Sequence, residues 1–157
     1  MEAFLKEKTL KYFVSILIPF LFLVDGCKIR KDEDTVIRFF SLLKESKYDE
    51  SLKLTEGGAE TLMKKLTKEQ PEEIANIVFK NMILEKVSID DLLTSQETES
   101  IVYRANYRFV LKEDGIKPDA KELLIRTKGG EVIVYINKKT SKIKSLIDLK
   151  GGVFVAP

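Results

Sequence analysis

The chain has 157 residues, with 27 Lys and Arg against 25 Asp and Glu, a net charge of +2, no His, no Trp and one Cys. Balanced charge offers nucleic acid no concentrated basic surface, and a chain without histidine has neither a Ser-His-Asp or Cys-His relay nor an imidazole metal ligand. A lone thiol excludes an intramolecular disulfide, so the fold must rest on its apolar core; no cofactor, no metal and no nucleic-acid partner are expected.

Residues 1–11 are weakly basic, with Lys6, Lys8 and Lys11 against Glu2 and Glu7. From Tyr12 to Val24 run thirteen uncharged, mostly apolar residues. That suits the apolar region of an export signal and falls short of the roughly 20 residues that a spanning helix needs. Pro19 also works against a long helix there. The run ends in Leu23-Val24-Asp25-Gly26-Cys27. This order resembles the lipobox of bacterial lipoproteins, with Val24 as the aliphatic residue three places before the cysteine and Gly26 as the small residue before it. Asp25 stands where the pattern usually has an uncharged residue. The resemblance implies cleavage between Gly26 and Cys27, lipidation of the Cys27 sulfur, and a protein anchored in the cell membrane or outer membrane, facing the periplasm or the exterior. The expected organisation is a signal peptide over 1–26, the lipidated cysteine and a charged tether over 27–34, and one domain over 35–157. An uncleaved membrane anchor and a buried apolar helix are the alternatives.

Asp32, Glu33 and Asp34 suit a helix start, where side-chain caps and the positive helix end favour acids. A helix is predicted from Thr35 to about Lys47, with Val36, Ile37, Phe39, Phe40, Leu42 and Leu43 as its apolar surface. A short helix follows over Tyr48 to Leu54, then a break at Gly57-Gly58. Ala59, Leu62, Met63 and Leu66 then fall on one helical face. Pro71 opens a further helix whose stripe is Ile74, Ile77, Val78 and Met82. After about Ile83 the period becomes alternating, with a first strand over Val87 to Leu93. Ile101, Tyr103, Ala105, Tyr107, Phe109 and Leu111 share one strand face, and Arg104, Asn106 and Arg108 the other. Glu113-Asp114-Gly115 reads as a turn. Lys128-Gly129-Gly130-Glu131 reads as the turn of a hairpin between Leu123–Thr127 and Val132–Asn137, and Lys138 to Ser141 as the turn before Ile143, Ser145 and Ile147. Lys150 to Pro157 is a docking extension or a frayed tail. Helices followed by consecutive strands predict an α+β fold: N-terminal helices packed on a curved antiparallel sheet of four to five strands, a cone-shaped roll.

The stretch from Val36 to Leu52, a long helix and a short one joined through Lys47-Tyr48-Asp49, and the closing hairpin Val134-Tyr135-Ile136-Asn137 to Lys142-Ile143-Lys144 resemble a nuclear transport factor 2-like domain. This is an α+β roll found in several small bacterial lipoproteins. With element order included, the likeness covers Thr35 to Leu149. The chain lacks the Trp often found in the last strands of such lipoproteins, and a cystatin-like helix-on-sheet domain is the nearest structural rival. The resemblance implies a pocket between helix and sheet, for which Tyr103, Tyr107 and Tyr135 are the candidate lining residues; tyrosines at alternating strand positions are also ordinary core residues. Arg104 and Arg108, with Arg126, Lys142 and Lys144, form a candidate face for an anionic partner, and solvated strand positions explain these charges equally well. The expectation is a lipid-anchored envelope protein that acts as a non-enzymatic binding or interaction module. Its partners would be the membrane through its anchor and an envelope protein or anionic envelope polymer. The alternative is a small pocket enzyme that uses the carboxylate and tyrosine known in that superfamily, although no acid here follows a recognisable motif.

Overall fold

The computed structural model describes residues 31–69, 72–110, 128–150 and 152–154. Cys27, Arg126, the Glu113-Asp114-Gly115 turn and the strand expected over Leu123–Thr127 lie outside the described residues. A compact unit begins at Asp32. Its order is helical, then mainly strand, and the result is an α+β fold in which helices pack on an open antiparallel sheet.

The first helix, α1, covers residues 31–44. Asp32, Glu33 and Asp34, assigned to the tether from sequence, form its first turn, where negative charge complements the helix dipole. Val36, Phe39, Phe40 and Leu43 recur at helical spacing and are buried, Leu42 joins them, and Ile37 is half in solvent. The helix stops by a Schellman arrangement: the Ser46 and Lys47 amides donate to the Leu43 and Leu42 carbonyls, and Ser46 holds a φ of 57°. Glycine normally fills such a position, because a Cβ is disfavoured there.

Helix α2 (Tyr48–Lys53) leads to Thr55, which bridges Ile143 of the last strand in parallel; the Glu56 amide donates to the Ile143 carbonyl and the Ile143 amide to that of Leu54. Helix α3 (Gly57–Lys64) buries Ala59 and Met63, and a π turn (Lys65–Glu69) buries Leu66, as the apolar spacing predicts. Helix α4 (Glu72–Lys80) differs from expectation. Among its described side chains Ala75 and Phe79 are buried and Ile77 and Val78 are half-buried, Met82 belongs to the following strand, and Ile74 of the expected stripe lies outside the described side chains.

Among the described residues four strands pair in the order β1-β2-β3-β4, all antiparallel: β1 (Met82–Ile89), β2 (Ser100–Phe109), β3 (Gly129–Asn137) and β4 (Ile143–Lys150). β1 starts and ends earlier than predicted, because Asp90 caps a short helix, α5 (Asp91–Gln96), by accepting from the Leu93 amide. α5 then replaces β1 as the neighbour of β2: Thr94 Oγ1 accepts from the Val102 amide at 2.9 Å. On the inner face Tyr103, Ala105 and Tyr107 of β2 pair with Val134, Val132 and Gly130 of β3, and this face shares one core with α1, α3 and α4. A register shift between Tyr135 and Ile136 puts Ile143 and Leu146 in that core and leaves Ile147 exposed, so the alternation expected along Ile143, Ser145 and Ile147 is broken by a bulge.

Gly129-Gly130 is not a turn. Both residues are paired strand, opposite Arg108 and Tyr107. A Cβ on Gly130 would collide with the Lys150 carbonyl and the Tyr107 hydroxyl, so glycine serves here for close approach. Replacing Gly130 by Ala is expected to cost about 2 kcal/mol through this overpacking, read as a lower urea midpoint. Ser46→Gly is expected to raise stability by about 1 kcal/mol by relieving the left-handed backbone, and it also removes a buried hydroxyl without a partner. A lower midpoint for that variant would contradict the helix stop described here.

Candidate functional site

The three tyrosines singled out from sequence do not meet. Tyr103 and Tyr107 project from β2 into the core and are 0% and 2% exposed. Tyr135 pairs with Val102, whereas Tyr103 pairs with Val134, so Tyr135 lies on the opposite face of the sheet. Alternation alone dictates this, since positions 134 and 135 of one strand cannot share a face. A single pocket lined by all three is therefore ruled out by register.

Around Tyr107 the structure assembles a cluster. Asp148, near the end of β4, accepts from the amides of Val153 and Phe154 at 2.8 and 3.0 Å through one carboxylate oxygen, and the Tyr107 hydroxyl donates to the same oxygen at 3.3 Å. The chain reverses after β4 with Gly152 at a φ of 68°. Phe154 is thereby carried back into the fold, 3% exposed, against Phe40 of α1, Phe79 of α4 and Tyr107 of β2, with ring centroids 5.7, 6.1 and 6.0 Å away. Residues 152–154 thus dock rather than fray. Burial first, and then the charge of Asp148, push the Tyr107 phenol far above its ordinary value, so the hydroxyl remains a donor. The sequence signal for this cluster was an apolar Val153-Phe154 directly behind glycine, with no hint that Asp148 would receive it.

Near the start of α1, Asp32 is 0% exposed, and neither carboxylate oxygen has a hydrogen-bond partner among the described residues. Tyr103 lies within its electrostatic reach: burial, then Asp32, then Glu33 push that phenol far above its usual range. Asp32 has no sequence signal of this kind, because three consecutive acids before an apolar helix read as caps.

On the outer face, Arg104 and Arg108 are neighbours as predicted, but both are engaged. Arg104 Nε donates to Asp90 Oδ2 at 2.6 Å and its Nη1 to Glu131 Oε1 at 2.7 Å, while Arg108 Nε reaches Glu85 Oε1 at 2.7 Å. Lys144 lies 3.7 Å from Glu99. Around Arg104 and Arg108, acids from the α5 cap, β1 and β3 therefore alternate with the basic side chains; Arg126, the third arginine of the candidate face, lies outside the described residues. Asp90 is the best-held of these acids, and its carboxyl lies below the usual range chiefly through the Leu93 amide and then through Arg104. A depressed folded pKa contributes stability that is present above the unfolded value and lost as pH falls through the folded one. The advantage of the native protein over Asp90→Asn should therefore be full above about pH 4 and shrink below it, as read by thermal midpoints across the acid range. Asp148→Ala should cost about 2 kcal/mol by stranding two amides and a phenol, and hydrogen exchange at Val153 and Phe154 should accelerate.

Compared with known protein families, curated proteins and solved structures, the chain matches none.

Proposed function

We propose that the chain is a lipid-anchored binding module of the bacterial envelope. The observation that carries this reading is the distance along the chain between Cys27 and the folded unit. The unit begins at Asp32, five residues on (32 minus 27), and five extended residues reach at most about 18 Å. An acyl chain on Cys27 would hold the domain against the bilayer, and more than one chain makes such anchoring stable. The nuclear transport factor 2-like likeness remains part of this proposal, supported by helices packed on an antiparallel sheet. An anionic polymer is the less favoured partner, because Arg104 and Arg108 already face Asp90, Glu131 and Glu85. A peptide or protein segment of the envelope is favoured.

One observation favours the second reading, a small enzyme working through a carboxylate and a tyrosine: the unpartnered Asp32 beside Tyr103. Both side chains are closed to solvent, which weighs against it.

The anchor is tested by Cys27→Ser in the bacterial host. Metabolic labelling with palmitate should disappear and the protein should leave the lipidated pool, while its unfolding midpoint stays unchanged. Labelling that persists in the variant would overturn the proposal.

A further inference from the structure

We infer that the aromatic seat formed by Phe40, Phe79 and Tyr107, together with the Asp148 carboxylate, is a recognition site for an aromatic-bearing peptide segment, and that the protein's own Val153-Phe154 occupies it in cis. The inference deepens the binding-module reading and rests on it, since it names the ligand class and the regulation of such a module.

The first support is the kind of chemistry that the seat presents. Three rings enclose the Phe154 ring in edge-on or tilted contacts, and one carboxylate oxygen receives two consecutive backbone amides. Capture of main-chain N–H groups with a pocket for one side chain is how peptide-binding surfaces combine affinity with selectivity. Any segment offering two successive amides and an aromatic side chain can reproduce these contacts. A lipid chain or sugar can fill the ring seat but leaves the carboxylate without those amides.

The second support is that neither a helix nor a ladder holds the present occupant. The β4 ladder ends at Lys150, the chain turns through Gly152, which is exposed and left-handed, and Val153 is only half-buried. The described hydrogen bonds that hold the strap run from its two amides to one side chain, in contrast to the ladders on both sides of β3. The strap has one buried ring and two amide bonds to break, far fewer than a ladder strand, and segments with fewer interactions to lose open below the global unfolding free energy. A tethered occupant acts at a high effective concentration, of order millimolar for a short flexible link. It therefore excludes weak ligands and yields to a strong one.

The test uses the full chain purified in detergent and a fluorescent, N-terminally acetylated peptide of sequence Gly-Gly-Val-Phe-Val-Ala. Phe154→Ala empties the ring seat and should bind the probe about tenfold or more tightly than the native chain does, because the cis competitor is weakened. Substituting Ala for Phe in the probe should abolish binding, and adding Asp148→Asn to the variant should weaken it about tenfold. A folded Phe154→Ala chain that shows no saturable binding, or that binds both probes equally, would overturn the inference. Should Phe154→Ala not fold, hydrogen exchange on the native protein decides. The Val153 and Phe154 amides should open about a hundredfold more often than the Val134 amide of β3, and exchange of all three in one common unfolding event would make the strap a permanent part of the core. Loss of lipidation in Cys27→Ser leaves this readout untouched, so anchor and peptide site fail separately.

Discussion

Tyr107 crosses over Gly130, and much of one end of the fold depends on that crossing. A phenol this large near the end of β2 needs space in the next strand, and only a residue without Cβ supplies it. The same missing side chain lets the Lys150 carbonyl approach from β4. Once the ring is in place, its hydroxyl donates to Asp148, and that carboxylate collects the amides that return the chain to the core. Phe154 then closes on Tyr107 itself. The order of dependence runs from a glycine to a ring, a carboxylate and a second ring. With no disulfide available, such mutually supporting packing is the means by which this chain reaches a single arrangement.

The opposite side of the sheet is organised by charge. Asp90 serves both as the cap of α5 and as a partner of Arg104, so the short helix and the central strand are fixed by one carboxylate. Glu131 on β3 extends the link to a third element. Arg104 is about two-fifths exposed, so the energetic weight of its pairs is modest and their value is geometric. Lys138 acts similarly at the sheet end, donating to the Glu97 and Thr98 carbonyls just after α5, while Glu56 accepts from Asn137 and Thr140 to brace the β3–β4 turn. These contacts join segments far apart in sequence.

Long-period features were legible in the sequence. Val36 to Leu43 announced a buried helix and Ile101 to Phe109 a two-sided strand; the strand faces agree with observed burial, and the helix face does so except at Ile37, which points outward. Short elements were harder. α5 has six residues, too few for a periodic pattern, and only the Asp90 cap could have marked it. Gly129-Gly130 resembles a turn because paired glycines favour turns locally, whereas here the demand for space comes from Tyr107, 23 positions earlier (130 minus 107). The bulge at Lys144 shifted Ile147 outward for a comparable reason, since a strand's register depends on its partner. The candidate site suffered most. Two tyrosines on one strand predicted a shared face correctly, but Tyr135 belongs to another strand whose phase could not be fixed from its own residues. Asp148 and Phe154 acquire their meaning only when β4 ends beside Tyr107.

The two faces impose different limits on what this domain can do. On the inner side the rings of Phe39, Phe79, Tyr103 and Tyr107 are fully or nearly fully buried, so a ligand can enter only where something already there can leave. Side chains on α1, α4 and the strands cannot leave without unfolding the element that bears them. Among the described core aromatics, Phe154 is the one carried by no helix or ladder, and its departure leaves the elements of the core connected. The outer face has no such occupant, and its arginines are matched by acids from α5's cap, β1 and β3. A partner there would have to displace existing ion pairs and replace them with equivalents, which favours selectivity over affinity. At the Tyr107 end, by contrast, exchange of one aromatic segment for another conserves every kind of contact, and the cost of opening is shared with the ligand that completes it.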